Sequence, residues 1–110
     1  MSVLVVDDEE SVRFICEIVL GSNGIAVLSA ASAERALALL EQEAASVKLV
    51  ITDYQMPETR GDELLEEVHT RFPGLPTLLW STVENPAKGI ALKDPMASDF
   101  PLRVKQLLAG

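Results

Sequence analysis

The chain has 110 residues, of which 48% are hydrophobic and 24% are charged, and its formal net charge is -8. This composition is typical of one globular domain rather than a disordered chain, and we expect a single domain over residues 1–110. A surface this acidic would repel nucleic-acid phosphates, so direct binding of DNA or RNA is not expected.

The chain also shows no sign of secretion or of membrane insertion. No apolar run approaches the length that spans a membrane, and Met1 leads directly into a strand-like run without a signal-peptide pattern. The single cysteine, Cys16, cannot form an internal disulfide and lies on an apolar helical pattern, which predicts a buried thiol. We therefore expect a cytoplasmic protein that does not associate with membranes.

Strand-like and helix-like segments alternate along the chain. Residues 2–6 are continuously apolar, as in a strand buried on both faces, and residues 10–21 carry apolar side chains at helical spacing. The alternation predicts an α/β fold with a doubly wound, five-stranded parallel sheet. The remaining predicted elements are a strand Ile25 to Ser29, a helix from its cap Ser32 to about Glu43, a strand Val47 to Thr52, a helix through Leu64 and Phe72, a strand Leu75 to Ser81, a strand Ile90 to Leu92, and a helix through Phe100 and Leu108.

Carboxylates directly follow two of the predicted strands. Asp7 and Asp8 come after the first strand, and Asp53 comes after the third. Each could be an ordinary cap when taken alone. Ligands of open parallel sheets, however, bind at the carboxyl ends of the strands, and carboxylates packed together there destabilise a fold unless a cation neutralises them. Because oxygen ligands suit Mg2+, the sequence predicts a magnesium site at Asp7, Asp8 and Asp53.

Two further side chains are expected at the same edge of the sheet. Ser81 ends the fourth predicted strand, and Lys93 follows the fifth. A hydroxyl and an ammonium group beside carboxylates suit a phosphoryl group, since lysine binds phosphate as a point charge and serine donates a hydrogen bond. Each residue alone is weak evidence, and the order along successive strand ends is the specific signal.

Longer motifs surround these residues, namely Val3-Leu4-Val5-Val6-Asp7-Asp8-Glu9, Asp53-Tyr54-Gln55-Met56-Pro57 with Gly61 and Glu63-Leu64-Leu65, Pro76 to Ser81, and Lys93. In these motifs the chain resembles the receiver domain of two-component response regulators. The resemblance implies a flavodoxin-like sheet of strand order 2-1-3-4-5. It also implies that Asp53 accepts phosphate from a phosphohistidine of a sensor kinase or phosphotransfer protein, and that the domain catalyses only its own phosphorylation and dephosphorylation. An unknown downstream protein partner and a monomer or weak dimer are further implications.

The resemblance also assigns a role to each residue of the site. Asp8, the Asp53 side chain and the Gln55 backbone carbonyl would ligate Mg2+, with Asp7 helping through water. Ser81 and Lys93 would hold the phosphoryl oxygens.

The chain departs from the family pattern between the fourth and fifth strands. Only the eight residues Thr82 to Gly89 connect them, whereas a parallel crossover with its helix needs at least about 10–12 residues. We therefore expect a short loop or a single turn in place of the family's fourth helix. Trp80 in the fourth strand is interpreted first as a packing residue, with partial exposure beside the missing helix as the alternative. Ile90 stands where the family usually has an aromatic residue. The usual Lys-Pro pair reads Lys93-Asp94-Pro95, which leaves Lys88 as a second, less favoured phosphate-binding lysine.

Two other functional classes fit parts of the sequence. One is an unphosphorylated pseudo-receiver that acts as a protein interaction module, although the complete set of acidic, serine and lysine residues favours phosphorylation. The other is a metal-dependent phosphatase or other hydrolase with Asp53 as its nucleophile. The small size of the chain and its lack of a substrate-binding insertion speak against that alternative.

Overall fold

The computed structural model describes residues 2–110 and contains one five-stranded sheet with four α-helices. All strands are parallel and lie in the order β2-β1-β3-β4-β5, as predicted. The strands are β1 (Ser2–Val6), β2 (Ala26–Ala30), β3 (Val47–Asp53), β4 (Thr77–Ser81) and β5 (Ile90–Leu92), and the helices are α1 (Glu10–Gly21), α2 (Ala33–Glu43), α3 (Gly61–Arg71) and α4 (Phe100–Leu108).

Helices cover both faces of the sheet because successive side chains of each strand point to opposite faces. In β1, Leu4 and Val6 pack in one hydrophobic cluster with side chains of α2 and α3. Val3 and Val5 pack in a second cluster with Cys16 and other side chains of α1 and α4. All four of these β1 side chains are fully buried, which confirms the prediction of a strand covered on both faces. The prediction that Cys16 is buried is also confirmed.

The boundaries of three strands differ from the prediction, and the first of these is β3, which extends one residue further, to Asp53. β2 runs from Ala26 to Ala30, one residue later than predicted, because it pairs in register with β1 from Ser2↔Ala26 to Val6↔Ala30. β4 begins at Thr77 rather than Leu75. The Pro76 carbonyl still accepts the Val50 N–H at 3.0 Å, but proline has no N–H of its own to extend the ladder.

The connection between β4 and β5 contains no α-helix over its described residues 82–89, so the predicted loss of the family's fourth helix is confirmed. A single 3₁₀ turn, Pro86–Lys88, takes its place. Asn85 and Ile90 exchange two backbone hydrogen bonds of 2.8 and 3.0 Å, which fold the connection back onto the outer edge of β5.

Trp80 is packed in the core, as favoured from the sequence, and the alternative of partial exposure beside the missing helix is wrong. The Trp80 side chain is only 2% exposed, because it points to the α1/α4 face and packs against Phe100 at a ring separation of 5.1 Å. The exposed apolar side chains of this region are instead Val83 and Leu92, at 75% and 48% exposure. Within residues 2–110, none of the helices has the length and apolar character needed to cross a membrane.

Candidate functional site

The carboxyl ends of β1 and β3 bring two buried carboxylates together. Asp7 directly follows β1 and is fully buried, and Asp53 is the last residue of β3 and is 4% exposed. β1 and β3 are neighbours in the sheet and pair up to Val6↔Thr52, so both acidic residues emerge at the same edge. The predicted convergence of these two carboxylates is therefore present.

The Lys93 side chain links the two buried carboxylates. Its ammonium group donates a hydrogen bond to Asp7 Oδ2 at 3.0 Å and lies 3.3 Å from Asp53 Oδ1. The Lys93 backbone N–H donates to the Ser81 carbonyl at 2.6 Å, which fixes the chain just beyond β5. The displaced proline at position 95 therefore does not move Lys93 away from the carboxylates, whereas Lys88 is exposed in the 3₁₀ turn.

Asp8 adds a third carboxylate, and this one faces solvent. One oxygen each from Asp7, Asp8 and Asp53 can be chosen so that all three lie within 4.8 Å of one another. Three hard oxygen donors, one of them accessible from solvent, fit a divalent cation such as Mg2+. Gln55 is exposed in the loop after β3, and its carbonyl stays a predicted ligand on the strength of the resemblance alone.

Ser81 lies at the same edge of the sheet, but its hydroxyl is hydrogen-bonded to the β4–β5 connection and not to the carboxylates in the described residues. It is buried at the end of β4, and its hydroxyl accepts the Val83 N–H at 3.3 Å. Among the hydrogen bonds of residues 2–110, none joins the Ser81 side chain to Asp7, Asp53 or Lys93. The hydroxyl is therefore tied to the β4–β5 connection in this state.

The protonation of the site reflects burial in competition with charge. Burial raises the pKa of the Asp53 carboxyl, and the neighbouring Asp7 carboxylate raises it further, while Lys93 opposes both effects. Burial alone would lower the pKa of Lys93, but its hydrogen bond to Asp7 and the charges of Asp7 and Asp53 outweigh that effect and raise it. Lys93 is therefore held as a cation between the two carboxylates.

The structure adds Gly61 to the residues that shape the site. A Cβ atom at Gly61 would collide with the Asp53 carbonyl oxygen and would lie 2.9 Å from Leu79 Cδ1. The Gly61 N–H also donates to the Tyr54 carbonyl at 2.9 Å, which closes the loop after Asp53. The sequence marked Gly61 as part of a motif, but this steric reason appears only when α3 packs against the end of β3.

Arg13 in α1 also contacts the site, and the sequence alone assigned it no role. Its Nη1 atom donates to the Asp7 backbone carbonyl at 2.6 Å. The only available signal is its position six residues after Asp7, which places it on the second turn of the following helix.

The fold and this site together agree with the comparisons with known proteins. A family model for the response regulator receiver domain matches residues 3–104, and the chain belongs to this family of two-component signalling domains. The chain is 35% identical over 100 residues to the two-component response regulator ORR11 of Oryza sativa subsp. indica, a match that covers 89% of this chain and 67% of ORR11.

Two solved structures show the same likeness in three dimensions. The chemotaxis protein CheY4 of Vibrio cholerae superposes with a TM-score of 0.83 at 28% identity, covering 97% of each chain. The receiver domain of the hybrid histidine kinase CckA superposes with a TM-score of 0.79 at 31% identity, covering 98% of this chain and 99% of that one.

Proposed function

We propose that this receiver domain is the phosphoacceptor of a His-Asp phosphorelay. Asp53 takes the phosphoryl group from a phosphohistidine of a sensor kinase or phosphotransfer protein, in the cytoplasm. The observation that carries this proposal is the Lys93 ammonium group, which lies 3.3 Å from the Asp53 carboxylate and 3.0 Å from Asp7 at the carboxyl edge of the sheet.

The reaction exchanges one bond to phosphorus for another. An Asp53 carboxylate oxygen forms a bond to phosphorus while the phosphorus–nitrogen bond of the phosphohistidine breaks. The electron pair of that bond stays on the imidazole nitrogen, which takes up a proton from solvent. Phosphoryl transfer depends mostly on positioning and on neutralising charge. Lys93 opposes the rise in the Asp53 pKa that burial and Asp7 cause, and it is placed to pair with a phosphoryl oxygen.

The acidic residues fit a bound Mg2+, which would neutralise charge on the carboxylate and phosphoryl oxygens. Asp8, the Asp53 side chain and the Gln55 carbonyl would hold it, with Asp7 acting through water. Asp7 is already bonded to Lys93 and is fully buried, which suits an indirect role, whereas the exposed Asp8 is free to bind directly.

Phosphorylation would then act on partner binding through Ser81. The acyl phosphate brings roughly -2 of charge to the site. The Ser81 oxygen accepts the Val83 N–H, and its own O–H stays available to donate to a phosphoryl oxygen. Movement of the Ser81 side chain toward that oxygen would stretch or break the bond from Val83, loosen the start of the β4–β5 connection and change the surface offered to a downstream protein. The domain itself turns over no external substrate and catalyses only its own phosphorylation and dephosphorylation.

A direct test is incubation with acetyl phosphate with and without Mg2+, followed by intact-mass measurement. We expect a single phosphoryl group that requires Mg2+ and is lost in Asp53→Asn. Trp80 is adjacent to Ser81 in β4, so its fluorescence gives a second signal, which beryllofluoride should change in the wild type only.

Each other outcome supports a different function. Modification that survives Asp53→Asn would contradict the assignment of the acceptor. An unmodified protein at saturating donor and Mg2+ would support the pseudo-receiver alternative. Repeated turnover of p-nitrophenyl phosphate would support a hydrolase.

A further inference from the structure

Every polar group of Asp7 has a partner, and the partners come from different parts of the fold. Its N–H donates to the Ala30 carbonyl of β2 at 3.1 Å. Its Oδ1 accepts the Glu9 N–H at 2.9 Å, and its Oδ2 accepts the Lys93 ammonium at 3.0 Å. Its carbonyl accepts the Arg13 guanidinium at 2.6 Å. Asp7 is therefore held rigidly from four directions.

The bond from Arg13 differs from the other three because it acts on the peptide that leads into Asp8. The acceptor is a neutral carbonyl, and among residues 2–110 no ion pair joins Arg13 to a carboxylate. Arg13 thus contributes a positive charge near the acidic cluster without occupying a carboxylate oxygen. The Asp8 carboxylate stays free, while the peptide that carries it is fixed.

The start of α1 is held to the end of β1 by the bond from the Glu9 N–H to Asp7 and by the bond from Arg13. Its N-cap residue, Glu9, makes no side-chain hydrogen bond to the first turn of the helix in the described structure. Asp7, Asp8, Glu9 and Glu10 form four consecutive acidic residues that repel one another. Arg13 bridges from the second turn of α1 back to the end of β1, and so ties the helix to the strand across this turn.

We propose that Arg13 is a positioning residue for the metal site, which orients Asp8 toward Asp53 by holding the Asp7–Asp8 peptide. This inference rests on the proposed function, because it takes Mg2+ as the ligand of the acidic cluster. Changing a residue that holds a metal ligand in place typically lowers the metal affinity by 10–100-fold.

The charge of Arg13 and its positioning of Asp8 should have opposite effects on Mg2+ affinity, so a substitution at Arg13 distinguishes the two. A guanidinium group near the cluster repels Mg2+, so its removal should tighten binding if charge alone matters. If positioning dominates, removal should weaken binding. Screening by salt reduces the charge effect on exposed groups but leaves a positioning effect in place.

The experiment is calorimetric titration of the unphosphorylated full chain with Mg2+ at low and high KCl. We expect Arg13→Met to weaken Mg2+ binding by about tenfold at both salt concentrations. Arg13→Lys keeps the charge but loses the planar fork, so its affinity should fall between those of the wild type and Arg13→Met. Lys48→Met is the matched control, since it removes one positive charge from the exposed, opposite end of β3 and should leave binding unchanged or slightly tighter.

The outcomes separate the inference from the function on which it rests. Unchanged or tighter binding by Arg13→Met would overturn the role of Arg13 while leaving the phosphoacceptor proposal intact. If the wild type itself binds no Mg2+, the metal in the proposed function is wrong. Should Arg13→Met not fold, Arg13→Lys decides alone, and an affinity equal to that of the wild type would overturn the proposal. Faster exchange of the Glu9 amide in the variants would show directly that the turn has loosened.

Discussion

The acidic end of β1 and β3 and the connection between β4 and β5 are built in opposite ways. Asp7 and Asp53 are almost completely buried and are joined through Lys93. The connection over residues 82–89 is mostly exposed, and its Val83 side chain is 75% exposed. Two backbone bonds between Asn85 and Ile90 hold it to β5.

This difference shows that the site does not depend on the helix that the chain lacks. β5 still pairs with β4 from Leu79↔Ile90 to Ser81↔Leu92, and the Lys93 N–H still reaches the Ser81 carbonyl. These short-range bonds at the sheet edge are enough to deliver the lysine. A crossover can therefore lose its helix without displacing the groups at the ends of the strands.

The largest effect is expected from removal of the lysine that joins the buried carboxylates. Lys93→Met leaves Asp7 and Asp53 buried without a cation, so we expect the free energy of unfolding to fall by about 3 kcal/mol in urea titrations without Mg2+. Lys88→Met, in the exposed connection, should change it by less than about 0.5 kcal/mol. Similar small losses for both variants would mean that the two regions do not differ as described.

A somewhat smaller loss is expected at the contact between α3 and the end of β3. Gly61→Ala places a methyl group against the Asp53 carbonyl, and overpacking of this kind should cost about 2 kcal/mol in the free energy of unfolding. The same change at Gly21, which has open space around it, is the control and should be near neutral. If Gly61→Ala unfolds at the same urea concentration as the wild type, the close contact between Gly61 and the Asp53 carbonyl is contradicted.

A gain in stability is expected from neutralising Asp53. Burial and Asp7 raise the pKa of its carboxyl above the ordinary value of 3.8, so ionisation of Asp53 opposes folding. This cost is absent below pH 3.8, develops as pH rises toward the folded-state pKa, and is fully present above it. Asp53→Asn should therefore become more stable than the wild type across that window, in urea titrations at a series of pH values without Mg2+. A constant difference at all pH values would exclude this cause.

The smallest effect concerns the β4–β5 connection, where we expect a low free energy of local opening. Amides of Val83 to Gly89 should exchange much faster than those of Val5 and Ile51, because the connection buries little apolar surface. Beryllofluoride should change exchange over residues 82–92 if Ser81 releases the Val83 N–H. Strong protection in both states would contradict the view of this segment as a loosely held loop.

The local sequence predicted the elements and the short connection because these depend on nearby residues. Runs of apolar residues and helical spacing identify strands and helices, and Pro86 within eight residues leaves room for no more than one turn. Boundaries were less accurate at Ile25 and Leu75, since a strand ends where its partner strand stops offering hydrogen bonds. The sequence favoured packing of Trp80 but left partial exposure open, because it does not tell which face of β4 the side chain occupies or that Phe100 covers it.

The sequence by itself determined which groups the site contains, because carboxylates, serine and lysine at the ends of successive strands must meet at one edge of a parallel sheet. Only the tertiary structure decided how these groups are joined. It placed Lys93 between Asp7 and Asp53, bonded Ser81 to Val83, and brought Arg13 onto the Asp7 carbonyl. These contacts depend on strand register and on helix packing between residues far apart in the chain, and a pattern of residue types does not contain those distances.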